Sequence, residues 1–221
     1  MTIWTTLVIF GAGLLMATSP VLADRHTPSL PMAKIGDNGM YAQDWLFNTS
    51  MNLRKDLATT RKEGKRFIIL WEQQDCLYCA PTYEVNLRIP RVVNKIAKNF
   101  NVVKLDILGN RKVTDLDGTV LPEKELAIKY GIQYTPTYQF LPESLEKAAG
   151  KVGRDLDVFR FEGYFKPFHF YFMFHFVQAK GYEVEPSFQR WLGNIGKGMV
   201  KKGIKYDLWA DNLPPNLPDQ Y

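Results

Sequence analysis

The sequence predicts an α/β fold in which helices flank one central mixed β-sheet. Short apolar segments alternate with segments of helical periodicity, in the order helix, strand, helix, strand, helix, strand, strand, helix. The last two strand segments follow each other directly, so we expect them to form an antiparallel hairpin at one side of the sheet. The chain has 221 residues, of which 46% are hydrophobic, so it can fill such a core and is not disordered throughout.

The first half of the pattern surrounds the segment WEQQDCLYC. Residues 51–65 have the apolar spacing of a helix, and the continuous apolar run from Arg66 to Glu72 predicts a strand buried on both faces. Residues 83–100 have helical periodicity in two pieces that are separated at Pro90. Residues 101–107 alternate in polarity and predict a second strand.

The second half begins with a polar insertion at residues 108–122, where Asp117-Gly118 predicts a turn. A short helix, two strands and a longer helix are expected after it, at residues 123–131, 135–141, 157–163 and 166–182. We expect residues 24–49 to form an irregular lead-in, 50–185 the domain itself, and 186–221 an extension. This extension is predicted to contain a short helix near 188–196 and a disordered end from residue 212.

Residues 1–23 predict an export signal that is cleaved. Leu7–Ala17 is an apolar run too short to span a bilayer comfortably, and VLA precedes a cleavage point after Ala23. The mature protein is therefore expected in an oxidising extracytoplasmic space such as the periplasm. The formal net charge of +5 comes from 28 basic and 23 acidic residues without a long cationic run, so nucleic-acid binding is not expected.

The chain has two cysteines, Cys76 and Cys79, which are separated by two residues. A disulfide between them closes a loop of about four residues and stabilises the fold by about 2 kcal/mol at most, so a purely structural role is disfavoured. A closed zinc site needs four ligands. The only histidines, His26, His169 and His175, are not spaced to complete one, so we expect no metal and no cofactor.

A reactive dithiol explains the pair best. The cysteines follow a predicted buried strand and open a predicted helix, where free backbone N–H groups favour a thiolate at Cys76. Cys79 can then resolve a mixed disulfide within the same molecule. Thr135-Pro136 begins a strand about 60 residues later, and we predict a cis bond there that leaves the Thr135 backbone open to an extended substrate.

Together these features resemble the thioredoxin fold: CxxC before a helix, Thr-Pro before a strand, a hairpin that ends in Gly163, and a closing helix. The segments NRKVTDLDG (110–118) and GYFKPFHFYFMF (163–174) are similar to the periplasmic thioredoxins encoded with the Sox sulfur-oxidation system (SoxW-type). The resemblance covers residues 62–192.

The resemblance implies a monomeric extracytoplasmic reductase of disulfides in exported proteins. Its implied partners are Sox proteins such as the sulfur-carrier subunit, and a membrane electron donor of the CcdA/DsbD type. Its implied substrate-binding residues are Thr135, Pro136, Gly163 and the intervening Leu77 and Tyr78. An oxidase or isomerase of exported proteins, and a binding module without catalysis, are the alternatives.

The chain departs from thioredoxins at the acid that they bury six residues before the first cysteine, because that position is Leu70. Glu72 can replace this acid only if its side chain points beneath the pair; otherwise it is a carboxylate at a strand end on the surface. The carboxylate of Asp75 precedes Cys76 and disfavours a second negative charge, so Asp75 and Glu72 are the residues predicted to tune the cysteines. We therefore expect the protein to donate electrons.

Overall fold

The computed structural model describes residues 30–217, and the predicted export signal lies outside this range. The strands are β1 (Lys34–Ile35), β2 (Tyr41–Ala42), β3 (Arg66–Glu72), β4 (Phe100–Asp106), β5 (Lys112–Thr114), β6 (Val120–Pro122), β7 (Thr137–Phe140) and β8 (Phe159–Glu162). The α-helices are α1 (Leu53–Lys62), α2 (Ala80–Glu84), α3 (Pro90–Asn99), α4 (Glu123–Lys129), α5 (Leu145–Ala148), α6 (Pro167–Gln178), α7 (Gly181–Val184) and α8 (Phe188–Lys201). None of the helices over residues 30–217 has the length and apolar content needed to cross a bilayer.

Four strands form the central sheet in the order β4-β3-β7-β8. β3 pairs with β4 in parallel and with β7 antiparallel, and β7 pairs with β8 antiparallel. The predicted mixed sheet with a hairpin at one side is therefore confirmed. The parallel pair requires a long crossover, which α2 and α3 supply, and this crossover carries the cysteines.

Every residue of β3 is buried, as its continuous apolar sequence predicts. Ile68 and Leu70 face a core cluster that contains α3 and α6, whereas Ile69 and Trp71 face a second cluster with α1 and α4. The period of two along a strand sends alternate side chains into these two clusters. The cysteines thus follow a strand that is buried along its whole length.

Helix α6 is apolar around its whole circumference, and ten of its residues are buried. A helix of this kind is stable only when other elements cover it on several sides. The sheet and α3 cover part of α6, and α8 with the segment after it covers another part. Phe168, for example, stacks on Tyr206 at a centroid distance of 4.8 Å.

Three segments for which no helix or strand was predicted are folded. The lead-in forms the β1–β2 hairpin, and the backbone N–H of Phe47 donates to the C=O of Val102 in β4 (3.1 Å). The polar insertion forms the β5–β6 hairpin around the predicted turn at Asp117-Gly118. The connection between β7 and β8 contains α5 and a short 3-10 helix.

The extension also differs from the expectation. Its helix α8 runs to Lys201 and begins at Ser187, whose side chain caps the N–H of Arg190. The prediction of disorder from residue 212 was wrong for residues 212–217, because Leu213 and Leu217 are buried in the core cluster with α6. These leucines pack against the apolar surface of α6. Since α6 is distant in the sequence, the polar, proline-rich segment around them does not indicate this contact.

Candidate functional site

The cysteines lie in a turn between β3 and α2 and form a disulfide. The C=O of Cys76 accepts hydrogen bonds from the N–H groups of Cys79 (3.1 Å) and Ala80 (3.3 Å). Helix α2 starts only at Ala80, has five residues, and has Cys79 as its N-cap. The prediction that Cys76 opens a helix is therefore corrected: Cys76 belongs to the preceding turn, so the dipole of this short helix favours a Cys76 thiolate less than expected.

The two sulfur-bearing residues differ in accessibility. Cys79 is 1% exposed, whereas Cys76 is half-buried and the intervening Leu77 and Tyr78 are 84% and 69% exposed. A partner protein can therefore approach the Cys76 side of the disulfide. Leu77 and Tyr78 form an exposed apolar rim beside Cys76, and their role in substrate binding stays a prediction.

Two hydrogen-bond donors point at the sulfur of Cys76. The backbone N–H of Cys79 lies 3.1 Å from Cys76 Sγ, and Thr135 Oγ1 lies 3.3 Å from the same sulfur. A disulfide sulfur carries no proton, so the Thr135 hydroxyl is the donor in this state. In the reduced protein the same donors would stabilise a thiolate at Cys76. From the sequence, Thr135 was expected to act only through its backbone, and the position of its hydroxyl is visible only in the fold.

The Thr135-Pro136 bond is cis, as predicted. The C=O of Pro136 accepts a hydrogen bond from the N–H of Gly163 (2.7 Å), which ties the loop after β8 to this position. Within residues 30–217 no group hydrogen-bonds to the backbone N–H or C=O of Thr135. These backbone groups beside Cys76 are thus available to an incoming extended segment.

Glu72 is buried, with an exposure of 1%, and is not a surface carboxylate. It ends β3 on the same face as Leu70, two residues further on. The hydroxyl of Tyr83 donates to its Oε1 at 2.8 Å, and Lys104 Nζ lies 3.7 Å from its Oε2. Burial raises the pKa of Glu72 to about 7, against the opposing effects of Lys104 and Tyr83. A buried carboxyl that titrates near neutrality is suited to exchanging protons.

The partners of Glu72 were not identified from the sequence. Lys104 is the register neighbour of Leu70 in β4, and burial lowers the pKa of its ammonium group. The available signal was a lysine between two buried apolar residues, Val103 and Leu105. Tyr83 comes from α2 and lies in the same core cluster as Cys79. Burial, and then the charge of Glu72, raise the pKa of Tyr83, which stays a neutral donor.

Asp75 lies in the turn that precedes Cys76. Its backbone has φ of 55°, which is in the left-handed region, and its side chain is exposed. Solvent screens an exposed carboxylate, so the effect of Asp75 on the neighbouring sulfur is weaker than its sequence position implies. Glu72 and Asp75 are therefore placed very differently, although both were predicted to tune the cysteines.

The histidines of the described chain, the half-buried His169 and the buried His175, both lie on α6. Burial lowers the pKa of His175 to about 4 and also lowers that of His169, so both imidazoles are neutral at pH 7. Over residues 30–217, no three His, Cys, Asp or Glu side chains are grouped as metal ligands. The chemistry that the described site can perform is that of its two sulfurs and its buried carboxyl.

The sequence profile of the Thioredoxin-like domain family matches residues 53–170, which is more than half of the chain. The chain therefore belongs to this family. The match ends shortly after the start of α6, so α8 and the segment after it lie beyond it.

Two solved structures are similar. A thioredoxin-fold protein from Helicobacter pylori aligns with a TM-score of 0.50 and 15% identity, over 72% of this chain and 93% of its own. A thioredoxin from Thermus thermophilus aligns with a TM-score of 0.42 and 24% identity, over 57% of this chain and 84% of its own. No curated protein matches the chain at a significant level. The family and the first structure support the thioredoxin fold and, with the cysteine pair, a thiol-disulfide redox function.

Proposed function

We propose that the protein is an extracytoplasmic reductase of disulfides in exported proteins, with Cys76 and Cys79 as its catalytic residues. The observation that carries the proposal is the asymmetry of the pair: Cys76 is accessible and faces two hydrogen-bond donors, whereas Cys79 is buried directly behind it. This arrangement suits an attacking thiolate followed by an internal resolving thiol.

The reaction proceeds in two exchanges. The Cys76 thiolate attacks one sulfur of the substrate disulfide, forms a mixed disulfide, and releases the other substrate sulfur as a thiolate that takes up a proton. Cys79 then loses its proton and attacks Cys76 Sγ, which releases the second substrate thiol and closes the Cys76–Cys79 disulfide. Two electrons pass from the dithiol to the substrate. We assign acceptance of the Cys79 proton to Glu72, the buried carboxyl on that face of β3 with a pKa of about 7.

The compartment and partners follow from the sequence features alone. A cleaved signal at residues 1–23 directs the chain to the periplasm, where a membrane donor of the CcdA/DsbD type would regenerate the dithiol. The likeness to SoxW-type thioredoxins supports Sox proteins as substrates, including the sulfur-carrier subunit. Mass spectrometry of the mature protein should show an N-terminus at Asp24, whereas an intact Met1 form in the cytoplasm contradicts export.

One observation favours an oxidase or isomerase instead. The N–H of Cys79 and the hydroxyl of Thr135 both stabilise a thiolate at Cys76, and a strongly stabilised thiolate makes the disulfide more oxidising. The short α2 and the absence of a cation between the cysteines act in the opposite direction. The reduction potential therefore distinguishes the two functions.

Reduction of insulin by the protein with dithiothreitol as electron source tests the proposal. We expect the wild-type protein to accelerate insulin precipitation and Cys76→Ser to be inactive. Ile128→Ala, at a 77% exposed position on α4, is the surface control and should match the wild type. A wild-type protein no faster than dithiothreitol alone indicates a binding module without catalysis.

A further inference from the structure

The lead-in hairpin, β1–β2 with its turn (residues 34–42), lies against the loop that leads to Cys76. Met40 is buried, and the N–H of Gly36 donates to its C=O (2.9 Å), which closes the hairpin. At Gly39 an added Cβ would lie 2.7 Å from the side chain of Gln74. The tip of the hairpin is thus in close contact with the segment between β3 and the disulfide.

Tyr41 of this hairpin contacts both partners of Glu72. Its ring stacks on the ring of Tyr83, with centroids 4.2 Å apart and planes inclined by 17°. Its C=O accepts a hydrogen bond from Nζ of Lys104. Tyr83 donates to Oε1 of Glu72, and Lys104 lies beside Oε2. One residue outside the matched Thioredoxin-like domain therefore holds both of them.

We propose that Tyr41 is a positioning residue: it closes the lead-in hairpin over Glu72, excludes water from the carboxyl, and fixes Tyr83 and Lys104 around it. The proposal deepens the proposed function, because it rests on Glu72 as the proton acceptor of Cys79 and assigns control of that acceptor to the hairpin. The hairpin would keep the carboxyl able to bind a proton near neutral pH, while the disulfide itself stays accessible.

The direction of the effect follows from the surroundings of Glu72. Without the Tyr41 ring, water reaches the carboxylate, and solvation favours its charged form. The backbone carbonyl of Tyr41, which accepts from Lys104, remains in every substitution at this position. The titratable and charged groups that face Glu72 from the neighbouring elements are Lys104 and Asp106 of β4, Tyr83 of α2, Tyr138 of β7 and Tyr41 of β2.

The test is a ¹³C NMR titration of the glutamate carboxyl groups in the oxidised protein. The signal of Glu72 is assigned by its loss in Glu72→Gln. In Tyr41→Ala we expect the midpoint of Glu72 to fall from about 7 towards the ordinary 4.5. Tyr41→Phe, which keeps the ring, should retain the wild-type midpoint. Ile35→Ala, at a 58% exposed position of the same hairpin, is the matched control and should retain it as well.

An unchanged midpoint in Tyr41→Ala overturns the proposal, as does a shift in Tyr41→Phe equal to that in Tyr41→Ala. If Tyr41→Ala does not fold, Tyr41→Leu decides in the same way: a midpoint below that of the wild type supports the proposal, and an unchanged one overturns it. The titration needs no substrate and no turnover. Its failure is therefore distinct from a failure of the reductase function, which the insulin assay reports.

Discussion

Cys76 and Cys79 are three positions apart but have different surroundings, and this difference assigns their roles. Because Cys79 is 1% exposed, a bulky partner can reach only Cys76. We predict that Cys79→Ser accumulates a mixed disulfide with substrate proteins, since nothing resolves the first adduct. Non-reducing electrophoresis after incubation with oxidised substrate detects it. Trapping by Cys76→Ser in place of Cys79→Ser would reverse the assignment.

Thr135 affects the same sulfur through its hydroxyl. Thr135→Val keeps the shape but removes a donor 3.3 Å from Cys76 Sγ, so we predict a higher pKa of the Cys76 thiol. For a rise of about one pKa unit, attack near neutral pH should slow by about threefold, because the greater nucleophilicity of the thiolate partly offsets its roughly tenfold lower abundance. The absorbance of the reduced protein at 240 nm as a function of pH measures the pKa. Thr135→Ser should restore it, and a wild-type value in Thr135→Val would exclude the hydroxyl.

The buried Glu72 makes stability depend on pH. Its pKa is about 7 in the folded chain and near 4.5 when exposed, so the folded state binds the proton more tightly. The tighter proton binding by Glu72 therefore contributes fully to the free energy of unfolding below pH 4.5. This contribution is lost as the pH rises to 7, which lowers the free energy of unfolding by about 3 kcal/mol. We predict that Glu72→Gln becomes more stable relative to the wild type across this window. Urea unfolding of the oxidised proteins at pH 4 to 8 measures the difference.

The exposed Glu125 on α4 is the control for this prediction, and Glu125→Gln should keep a constant difference from the wild type. A Glu72→Gln curve parallel to that of the wild type would mean that the carboxyl has the same pKa in the folded and unfolded chains, and that it is charged near neutral pH. It would then be unsuited to accept a proton from Cys79.

At the level of elements, α8 is part of the fold and completes the cover of α6. Met199 of α8 is 0% exposed and belongs to the cluster that contains Cys79, whereas the next residue, Val200, is 65% exposed. We predict that Met199→Ala lowers the free energy of unfolding by about 2–5 kcal/mol. Val200→Ala should change it by less than about 0.5 kcal/mol. Equal urea midpoints for the two variants would show that α8 does not unfold with the domain.

The reduction potential is a property of the whole molecule, and it sets the direction of electron transfer. The weak dipole of the five-residue α2 and the absence of a Lys, Arg or His between the two cysteines limit how far the Cys76 thiolate is stabilised. We predict a reduction potential below about −200 mV, on the thioredoxin side of the range and far from the roughly −120 mV of a dedicated oxidant. Equilibration with glutathione buffers measures it. A potential near −120 mV would establish the oxidase alternative.

The sequence by itself determined the central sheet and the cysteine pair. The run from Arg66 to Glu72 predicted a strand buried on both faces, because an apolar run without alternation has no side for water. The turn-forming Asp117-Gly118 and the Thr135-Pro136 bond were also correctly predicted. The strand and the turn depend on local chemistry, such as strand periodicity and backbone preferences, which a short segment carries within itself. The cis bond was predicted from the order of the elements, because an isolated X-Pro bond favours trans.

Only the tertiary structure decided which residues surround Glu72. Tyr41, Tyr83 and Lys104 come from three separate segments, and no spacing in the sequence brings them to Glu72. The burial of Leu213 was hidden for the same reason, since its partner is α6 and not a neighbour in the chain. Whether a carboxyl such as Glu72 is exposed to solvent or buried depends on which distant residues cover it. Burial and its effect on proton binding are therefore properties of packing, which a local pattern does not contain.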